Sequence, residues 1–357
     1  MQSIKKAKLV LENGLEFEGY SFGYNQPAGG EVVFSTAMVG YPESLTDPSY
    51  SGQILVSTYP ILGNYGIPSN EKENGIEKFF ESAKIHAKAL IITDYSFNYS
   101  HWNAAESLDE WMKKEKVPGL YGIDTRELTK TIRENGAMLG KIVPNGYDAD
   151  IEIKDPNKEN QVALTSCNEV VRYGNGEKKV VLVDCGTKYS IIRWLLEQGV
   201  EVIRVPWNYN FNNLEYDGVV ISNGPGDPNF CTEAIDNIKI ALEGNKPVCG
   251  IGMGNHLMAM AAGASVYKLK CGHRGHNQPV RMVGTNTCII TSQNHGYAVD
   301  TKTLGADWEP LFVNMNDGSC EGIRHKSKPF ISVQFHPAAA NISKETSMVF
   351  NEFFKKL

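Results

Sequence analysis

The sequence predicts an α/β protein with two domains, and three observations support this fold class. The chain has 357 residues, which is enough for two domains that each bury a core of their own. Its first half combines short strands, glycine turns and a few helices, which predicts a mixed α/β domain. Its second half alternates continuous apolar strands with amphipathic helices, and this alternation predicts a parallel sheet with right-handed crossovers.

The first half opens with strand patterns. Short strands separated by glycine turns are predicted from residue 7 to about residue 60, in "AKLVLENGLEFEGYSFG", "GEVVFSTAMVG" and "GQILVSTYP". Two helices are predicted near 71–86 and 104–115, with the buried strand "AKALIITDYS" between them. A third helix is predicted over "TRELTKTIREN", with Thr125 as its N-terminal cap and Gly136 just beyond its end.

A polar stretch separates the two halves. It contains "NGYDADIEIKDPNKENQ" and "RYGNGEKK", whose composition is typical of a linker rather than a core. The predicted domains are therefore residues 1–150 and 178–357, joined by a linker over residues 151–177.

The second half begins with the apolar strand "KKVVLVDCG" and the amphipathic helix "KYSIIRWLLEQG". Two more strands follow, "VEVIRVPW" and "YDGVVISNGPGDP", and the series continues through "TEAIDNIKIALEGN" and "KPVCGIGMGNHLMAMAAG". In such a sheet, functional residues are expected at the carboxyl ends of the strands.

Composition excludes several classes of partner. The chain is 41% hydrophobic and 21% charged, as in ordinary globular proteins, and no apolar run approaches the roughly 18 residues of a membrane span. A formal net charge of −6 argues against attraction to a phosphate backbone. We expect neither a membrane nor a nucleic acid as partner, and no cofactor.

The seven cysteines form no CxxC pair, which favours reduced, mostly buried thiols over a disulfide framework. The N-terminal residues contain neither a secretory apolar stretch nor an Arg- and Ser-rich presequence. The expected location is the cytoplasm, or the mitochondrial matrix if a presequence has been removed.

Three features of the second half together suggest an acyl-transfer site. "CGIGMGNHLMAMAAGA" predicts a strand, a glycine turn and a helix, which is a nucleophile elbow with Gly252 at its apex. "ISVQFHPAAAN" predicts a strand that carries His336, in the position of a general base, to its end. The loop "SNGPGDP" offers backbone N–H groups around Gly224 and Gly226 that suit an oxyanion hole.

With these features in this order, the second half resembles the class I glutamine amidotransferase domain, which implies a flavodoxin-like parallel sheet. The first half, through "GYPESLTDPSY", "GNYG", "GIDTRELT" and "MLGKI", looks like the N-terminal domain of the carbamoyl phosphate synthetase small subunit. "VDCGTKYSIIR" and "SQNHGYAVD" extend the resemblance over nearly the whole chain. In that family the small subunit hydrolyses glutamine with a Cys, His and Glu triad and passes ammonia to a large, ATP-using chain.

The resemblance implies a broken triad here, because the Cys falls at Gly252, the His at His336 and the Glu at Ala338. His256 replaces the family's usual Gln, and Asn255 its usual His. No metal site is implied. By similarity, the glutamine-binding residues would be Ser49, Gly224, Gly226, Met253, His256, Asn294, Gly296 and Tyr297.

Some of these residues have plainer interpretations. Cys249 is a core thiol or, as the weaker alternative, a substitute nucleophile three residues before the apex. His336 without its partners is a remnant that fills space, or a ligand contact. Ser49 after Pro48 is a turn residue unless the family match applies, and the same holds for "GPGDP".

The loop "CGHRGHNQP" places His273, His276 and Cys271 close together in sequence, which raises the question of a metal. No second ligand pair follows at zinc-like spacing, so we predict an exposed loop instead.

The segments "GIGMGNH", "HRGHNQPV" and "WEPLFVNMNDGSCEGI" look especially like the amidotransferase-like domain of the ammonia-dependent, urea-cycle synthetases, where the Cys is already lost. That branch usually keeps a hydroxyl at the apex and an acid after the His-Pro pair. Gly252 and Ala338 lack these groups, so this chain departs from the triad more than that branch does. The leading hypothesis is a non-hydrolytic scaffold or regulator of a large synthetase chain, in pyrimidine, arginine or urea synthesis. The alternatives are an active glutaminase subunit and a glutamine-binding sensor.

Overall fold

The computed structural model describes residues 5–148, 151–337 and 350–357. The chain divides into two compact units, residues 1–158 and 159–357. The division falls inside the predicted linker, and part of that stretch is folded as the helix Gln161–Thr165 and the strand Val171–Tyr173 of the second unit. A polar composition is compatible with this short strand because it forms one edge of its sheet.

The first unit contains the following elements in chain order: β1 Lys5–Leu11, β2 Glu16–Gly23, β3 Ala28–Ser35, α1 Tyr41–Thr46, β4 Gln53–Ser57, β5 Ile61–Leu62, β6 Ile67–Pro68, β7 Lys72–Glu73, β8 Ile76–Glu77, β9 Ala89–Ile91, β10 Asp94–Tyr95, β11 Ala104–Glu106, α2 Leu108–Lys114, β12 Pro118–Tyr121, α3 Thr125–Asn135 and β13 Met138–Pro144. Seven of the strands close into a barrel in the order β1, β13, β3, β4, β9, β12, β2. Both antiparallel and parallel pairs occur around this barrel, which confirms the mixed α/β prediction.

The helix predicted near 71–86 is wrong. Strands β7 and β8 form an antiparallel hairpin there, whose turn residues Asn74 and Gly75 both have positive φ. An Asn-Gly pair is a strong signal for this kind of tight turn, and it overrides the weaker helical pattern. The helix predicted near 104–115 exists only as α2, which a capping box between Ser107 and Glu110 starts after the strand β11.

The third predicted helix is confirmed as α3. Its cap is Asp124 rather than Thr125: the Asp124 carboxylate accepts a hydrogen bond from the Glu127 N–H at 2.9 Å. Either side chain can cap a helix, and the one a residue earlier has the non-helical backbone that the position needs.

The second unit contains the following elements: α4 Gln161–Thr165, β14 Val171–Tyr173, β15 Lys179–Asp184, α5 Tyr189–Glu197, β16 Glu201–Pro206, β17 Gly218–Ile221, α6 Thr232–Glu243, β18 Val248–Ile251, α7 Met253–Ala261, β19 Val266–Met282, β20 Cys288–Val299, β21 Trp308–Asn314, β22 Cys320–His325 and β23 Phe330–Val333. One ten-stranded sheet runs in the order β14, β16, β15, β17, β18, β23, β22, β21, β19, β20.

The five central strands, from β16 to β23 in that order, are parallel, which confirms the predicted parallel sheet. The remaining pairs are antiparallel, and this extension through β19–β22 is absent from the prediction. The parallel strands end at one edge of the sheet, where the next residues are Cys185 after β15, Ser222 after β17, Gly252 after β18 and Gln334 after β23.

In the parts of the chain that the structure describes, no helix is both long and apolar enough to cross a membrane.

Candidate active site

The predicted elbow is present between β18 and α7. Gly252 has φ 57° and ψ −108°, and its N–H donates to the carbonyl oxygen of Val333 at 2.9 Å. A Cβ on Gly250 would overlap the carbonyl oxygen of Gly254, and one on Gly254 would overlap that of Ile221. The tight strand-to-helix turn therefore depends on these two flanking glycines, which are both present.

The loop at Gly224 and Gly226 lies beside the elbow. A Cβ built on Gly252 would stand 3.3 Å from the Cβ of Asn223. Asn223 is held in turn by two contacts: its Nδ2 donates to the Gly186 carbonyl at 2.9 Å, and its Oδ1 accepts from the Lys188 N–H at 3.1 Å. A Cβ on Gly224 would overlap the carbonyl oxygen of Cys185, so glycine is required there.

His336 lies at the same edge of the sheet as the elbow. Strands β18 and β23 are parallel neighbours with Ile251 opposite Val333, and Gly252 and His336 follow their ends. His336 is only 5% exposed, and its N–H donates to the Ser292 carbonyl at 3.0 Å. The predicted acid position, Ala338, lies outside the described residues.

Strand β20, which carries three of the predicted ligand-binding residues, packs on the elbow helix α7. Asn294, Gly296 and Tyr297 lie on β20, and the Tyr297 carbonyl is 3.1 Å from Nε2 of His256 on α7. Because a carbonyl only accepts, Nε2 carries the imidazole proton. Burial lowers the pKa of His256 to about 4, so the ring is neutral at pH 7, and its Nδ1 has no hydrogen-bond partner among the described residues.

Two predicted residues differ from this group. The Met253 side chain is buried in the hydrophobic core, so only its backbone belongs to the elbow. Ser49 belongs to the first unit, where it is 7% exposed in a short 3₁₀ helix, Pro48–Tyr50. The structure thus joins the elbow, the Gly224 loop and the Tyr297 segment within the second unit.

Asn255 has a structural role in the helix that starts at the elbow. It is fully buried, donates to Oε1 of Gln334 at 2.8 Å and accepts from Oγ of Ser332 at 2.7 Å. These bonds fasten α7 to β23 and satisfy the amide on both sides.

Two cysteines near the elbow, Cys249 and Cys185, are both buried. Cys249 is fully buried on β18, as predicted, and burial raises the pKa of its thiol far above the usual range. Cys185 lies next to Gly224, but it is also fully buried, and burial together with the neighbouring Cys231 and Asp184 raises its thiol pKa. Both groups are neutral thiols, and the thiolate is the nucleophilic form.

Sequence reasoning missed Asp184, the last residue of β15. It is fully buried and accepts from the backbone N–H groups of Cys167, Gly186 and Thr187 at 2.7–2.9 Å. Burial raises the carboxyl pKa, but Arg204, with Nη2 at 2.7 Å, and the N–H donors outweigh this effect and lower it overall. The sequence signal that could have identified it is a charged residue at the end of an otherwise apolar strand, since a buried charge needs partners.

The exposed loop predicted for "CGHRGHNQP" is wrong. These residues lie within the long strand β19, paired to β20, and the His273 side chain is only 12% exposed. Its contacts come from other segments of the chain, which spacing along the sequence does not reveal.

Comparison with known proteins matches each half of the chain to a protein family. Residues 9–142 match the carbamoyl-phosphate synthase small chain, CPSase domain, and residues 181–356 match glutamine amidotransferase class-I. Multifunctional protein CAD of Squalus acanthias is 53% identical over 336 residues, covering 93% of this chain and 15% of the relative. Carbamoyl-phosphate synthase [ammonia], mitochondrial, of Homo sapiens is 48% identical over 353 residues, covering 98% of this chain and 23% of the relative.

The chain thus spans less than a quarter of the length of these two relatives. Among solved structures, a glutamine amidotransferase from Thermotoga maritima matches with a TM-score of 0.38 and 20% identity, over 51% of this chain and 84% of that one. The two family matches follow one another along most of the sequence. The chain belongs to the carbamoyl-phosphate synthase small-chain family and carries a class I glutamine amidotransferase domain in its second half.

Proposed function

We propose that this chain is an amidotransferase-like small-subunit component of carbamoyl phosphate synthetase that does not hydrolyse glutamine. It acts as a scaffold or regulator of a synthetase chain that uses free ammonia. One observation carries the proposal: the apex of an otherwise intact elbow is Gly252, which has no side-chain nucleophile.

Glutamine hydrolysis in the family, by similarity, captures the glutamyl group as a thioester on the elbow cysteine. Glycine has only a hydrogen atom where that side chain would begin, so no acyl-enzyme can form there. Loss of the nucleophile from a coupled triad removes on the order of 10⁶ of the rate. Since Cys249 and Cys185 are buried neutral thiols, neither supports a substitute route.

The decisive experiment measures ammonia release from glutamine by the purified chain. We expect no release above the uncatalysed rate in the wild type. Release at a rate ordinary for amidotransferases would refute the proposal. The variants Cys249→Ala and His336→Ala would then identify whether a buried thiol or a water activated by His336 is responsible.

A large, ATP-using synthetase chain is the proposed partner. The two relatives named above are several times longer than the region they share with this chain, and one of them is named as a carbamoyl-phosphate synthase. Affinity purification of the tagged chain from its source cells should recover such a synthetase chain. Recovery of the chain alone, at a tag position shown to leave it folded, would count against the scaffold role.

The compartment is part of the proposal. All seven cysteines are unpaired in the structure, which suits the reducing cytoplasm and equally the mitochondrial matrix. One relative is named as a mitochondrial protein, and fractionation of source cells decides between the two.

A glutamine-binding sensor is the second candidate function. The observation that favours it is Nδ1 of His256, a buried acceptor without a hydrogen-bond partner among the described residues. An N–H group of a bound ligand would supply the missing hydrogen bond. Calorimetry with glutamine tests it: heat of binding that His256→Ala abolishes supports the sensor, and no heat in the wild type excludes it.

A further inference from the structure

A cluster of metal-type ligands lies in the antiparallel part of the second sheet. It consists of His273 on β19, His295 on β20 and Glu321 on β22. Nδ1 of His273 is 3.2 Å from Nε2 of His295 and 3.2 Å from Oε1 of Glu321, and Nε2 of His295 is 4.0 Å from Oε2 of Glu321. Ligand atoms of a tetrahedral zinc site stand about 3.3 Å apart, given zinc–nitrogen distances of about 2.0–2.1 Å.

The hydrogen-bond pattern leaves the lone pair of His295 pointing into this cluster. Nδ1 of His295 is 2.7 Å from the Tyr297 carbonyl oxygen, so it must carry the proton. In the neutral imidazole with its proton on Nδ1, Nε2 is the unprotonated acceptor, which is the atom that a metal ion would bind.

A second acceptor, Oε1 of Gln293, faces Nε2 of His295. The Thr291 hydroxyl donates to the Gln278 carbonyl at 2.9 Å and accepts from Nε2 of Gln293 at 3.0 Å. This fixes the amide of Gln293 so that Oε1 lies 3.0 Å from Nε2 of His295. Two acceptors at this distance need a positive centre between or beside them.

Glu321 adds a buried charge with incomplete pairing. Its side chain is fully buried, Oε1 accepts from Nδ2 of Asn314 at 2.8 Å, and Oε2 has no hydrogen-bond partner among the described residues. A buried carboxylate oxygen without a partner is costly, and metal coordination is one of the few ways to compensate it.

The outer atoms of both imidazoles have the partners that metal-binding histidines use. Nε2 of His273 is 2.9 Å from Oδ2 of Asp317, and Nδ1 of His295 donates to a backbone carbonyl. Such contacts orient the rings and fix which nitrogen is free to coordinate.

We propose that His273, His295 and Glu321 bind one divalent transition-metal ion, best matched by Zn²⁺. Two imidazoles and one carboxylate suit zinc, and Oε1 of Gln293 or a water completes four-coordination. The ion would fix the β20 segment that carries Asn294 and Tyr297. The inference does not depend on whether the chain hydrolyses glutamine.

A proton can occupy the place of the ion. Burial lowers the pKa of His273, but hydrogen bonds to Asp317 and Glu321 outweigh this and raise it to about 9. An imidazolium at His273 would donate to both carboxylates and leave no place for a cation. The experiment therefore has to distinguish a bound metal from a charged hydrogen-bond network.

The test uses the whole chain, stripped with a chelator, exchanged into metal-free buffer and treated with iodoacetamide to block exposed thiols such as Cys288. Calorimetric titration with Zn²⁺ should show one site per chain, and Co²⁺ should give the visible absorption of a low-symmetry four- or five-coordinate ion. Zn²⁺ should also raise the Tm by mass action.

Variants locate the site. Glu321→Gln keeps the side-chain shape and should abolish the Co²⁺ spectrum, and Asp317→Asn, whose carboxyl is 42% exposed, should weaken Zn²⁺ binding by about 10–100-fold. His276→Gln, three residues from His273 and bonded instead to Oγ of Ser292, is the matched control and should bind as the wild type does. Circular dichroism verifies folding, and Asp317→Asn keeps the test informative if Glu321→Gln does not fold.

Folded wild-type protein that binds no Zn²⁺ and whose Tm does not respond to it would overturn the proposal and assign the cluster to an imidazolium network. Binding that Glu321→Gln and Asp317→Asn leave unchanged, in folded variants, would overturn it as well.

Discussion

At the scale of single residues, Gly252 has the backbone conformation of an elbow apex but no side chain. Its positive φ is the conformation that an elbow imposes on its apex, and the flanking glycines that permit the turn are present. The backbone therefore presents position 252 at the start of α7, next to Asn223, although glycine has no side chain there. A backbone shape can persist without the side chain it would hold, because the turn depends on close packing of glycines rather than on a thiol.

We predict that Gly252→Cys acquires a reactive thiol. A cysteine at this helix N-terminus is stabilised as the thiolate, and it should be labelled covalently by a diazoketone analogue of glutamine. Mass spectrometry of the labelled protein checks the site. Gly252→Ser is the matched control, because a hydroxyl of similar size has no such activation and should stay unlabelled; equal labelling of the wild type would contradict the prediction.

We also predict a stability cost for any side chain at this position. A residue other than glycine is strained at φ 57°, and its Cβ would stand only 3.3 Å from that of Asn223. Gly252→Ala should therefore lower the free energy of unfolding by about 1–3 kcal/mol. Urea denaturation measures this, with Gly244→Ala, a glycine at negative φ after α6, as a control expected near zero.

At the scale of elements, the carboxyl ends of the parallel strands are organised by buried polar groups. Asp184 at the end of β15 gathers three backbone N–H groups and the Arg204 side chain from β16. It thereby holds residues 185–187, whose backbone in turn holds Asn223 beside the elbow. A single carboxylate thus connects the sheet core to the candidate site.

Asp184→Asn should lower the free energy of unfolding by about 3–5 kcal/mol at pH 7, because it leaves the largely buried Arg204 uncompensated. The folded-state pKa of Asp184 lies below its unfolded value, so its stabilisation is present above about pH 4 and is lost as pH falls through the folded pKa. The difference between the two proteins should therefore shrink on acidification below about pH 4.

Denaturation curves at pH 7 and at successively lower pH test this dependence. Asp236→Asn is the control, since this side chain is exposed on α6 and a surface substitution of this kind changes the free energy of unfolding by about 0.5 kcal/mol or less. An Asp184→Asn difference that stays constant with pH would rule out the carboxylate charge as the cause.

At the scale of the whole molecule, the two family matches follow the two compact units: one lies within residues 1–158 and the other within residues 159–357. The barrel of the first unit and the parallel sheet of the second are both complete enough to bury cores of their own. Under the function proposed above, this two-unit body supports a larger synthetase chain without hydrolysing glutamine.

The corresponding prediction concerns a complex reconstituted with a synthetase large chain from the source cells. It should form carbamoyl phosphate from ammonia, bicarbonate and ATP, and should show no rate with glutamine as the nitrogen donor. Coupled assays with each donor measure this. A glutamine-dependent rate that survives removal of contaminating amidotransferase would contradict it, and the same assay without the small chain measures what the scaffold contributes.

Local patterns predicted much of this protein. The parallel strands, α3 and the elbow depend on residues close together in sequence, and each is where the pattern indicates. The last strand ends at Val333, three residues before His336. Where a local signal was misjudged, as in the hairpin at Asn74 and Gly75, a stronger local signal was present in the same residues. The absence at Gly252 also follows directly from the sequence, because it concerns the identity of one residue.

Only the tertiary structure decided which distant residues meet. Asp184 and Arg204 become partners because β15 and β16 are neighbours, and His273, His295 and Glu321 converge because β19, β20 and β22 lie in one sheet at a particular register. A shift of one residue in any of these strands would turn its side chains to the opposite face. Strand order and register are set by packing across the whole unit, so they cannot be predicted from the spacing of residues along the chain.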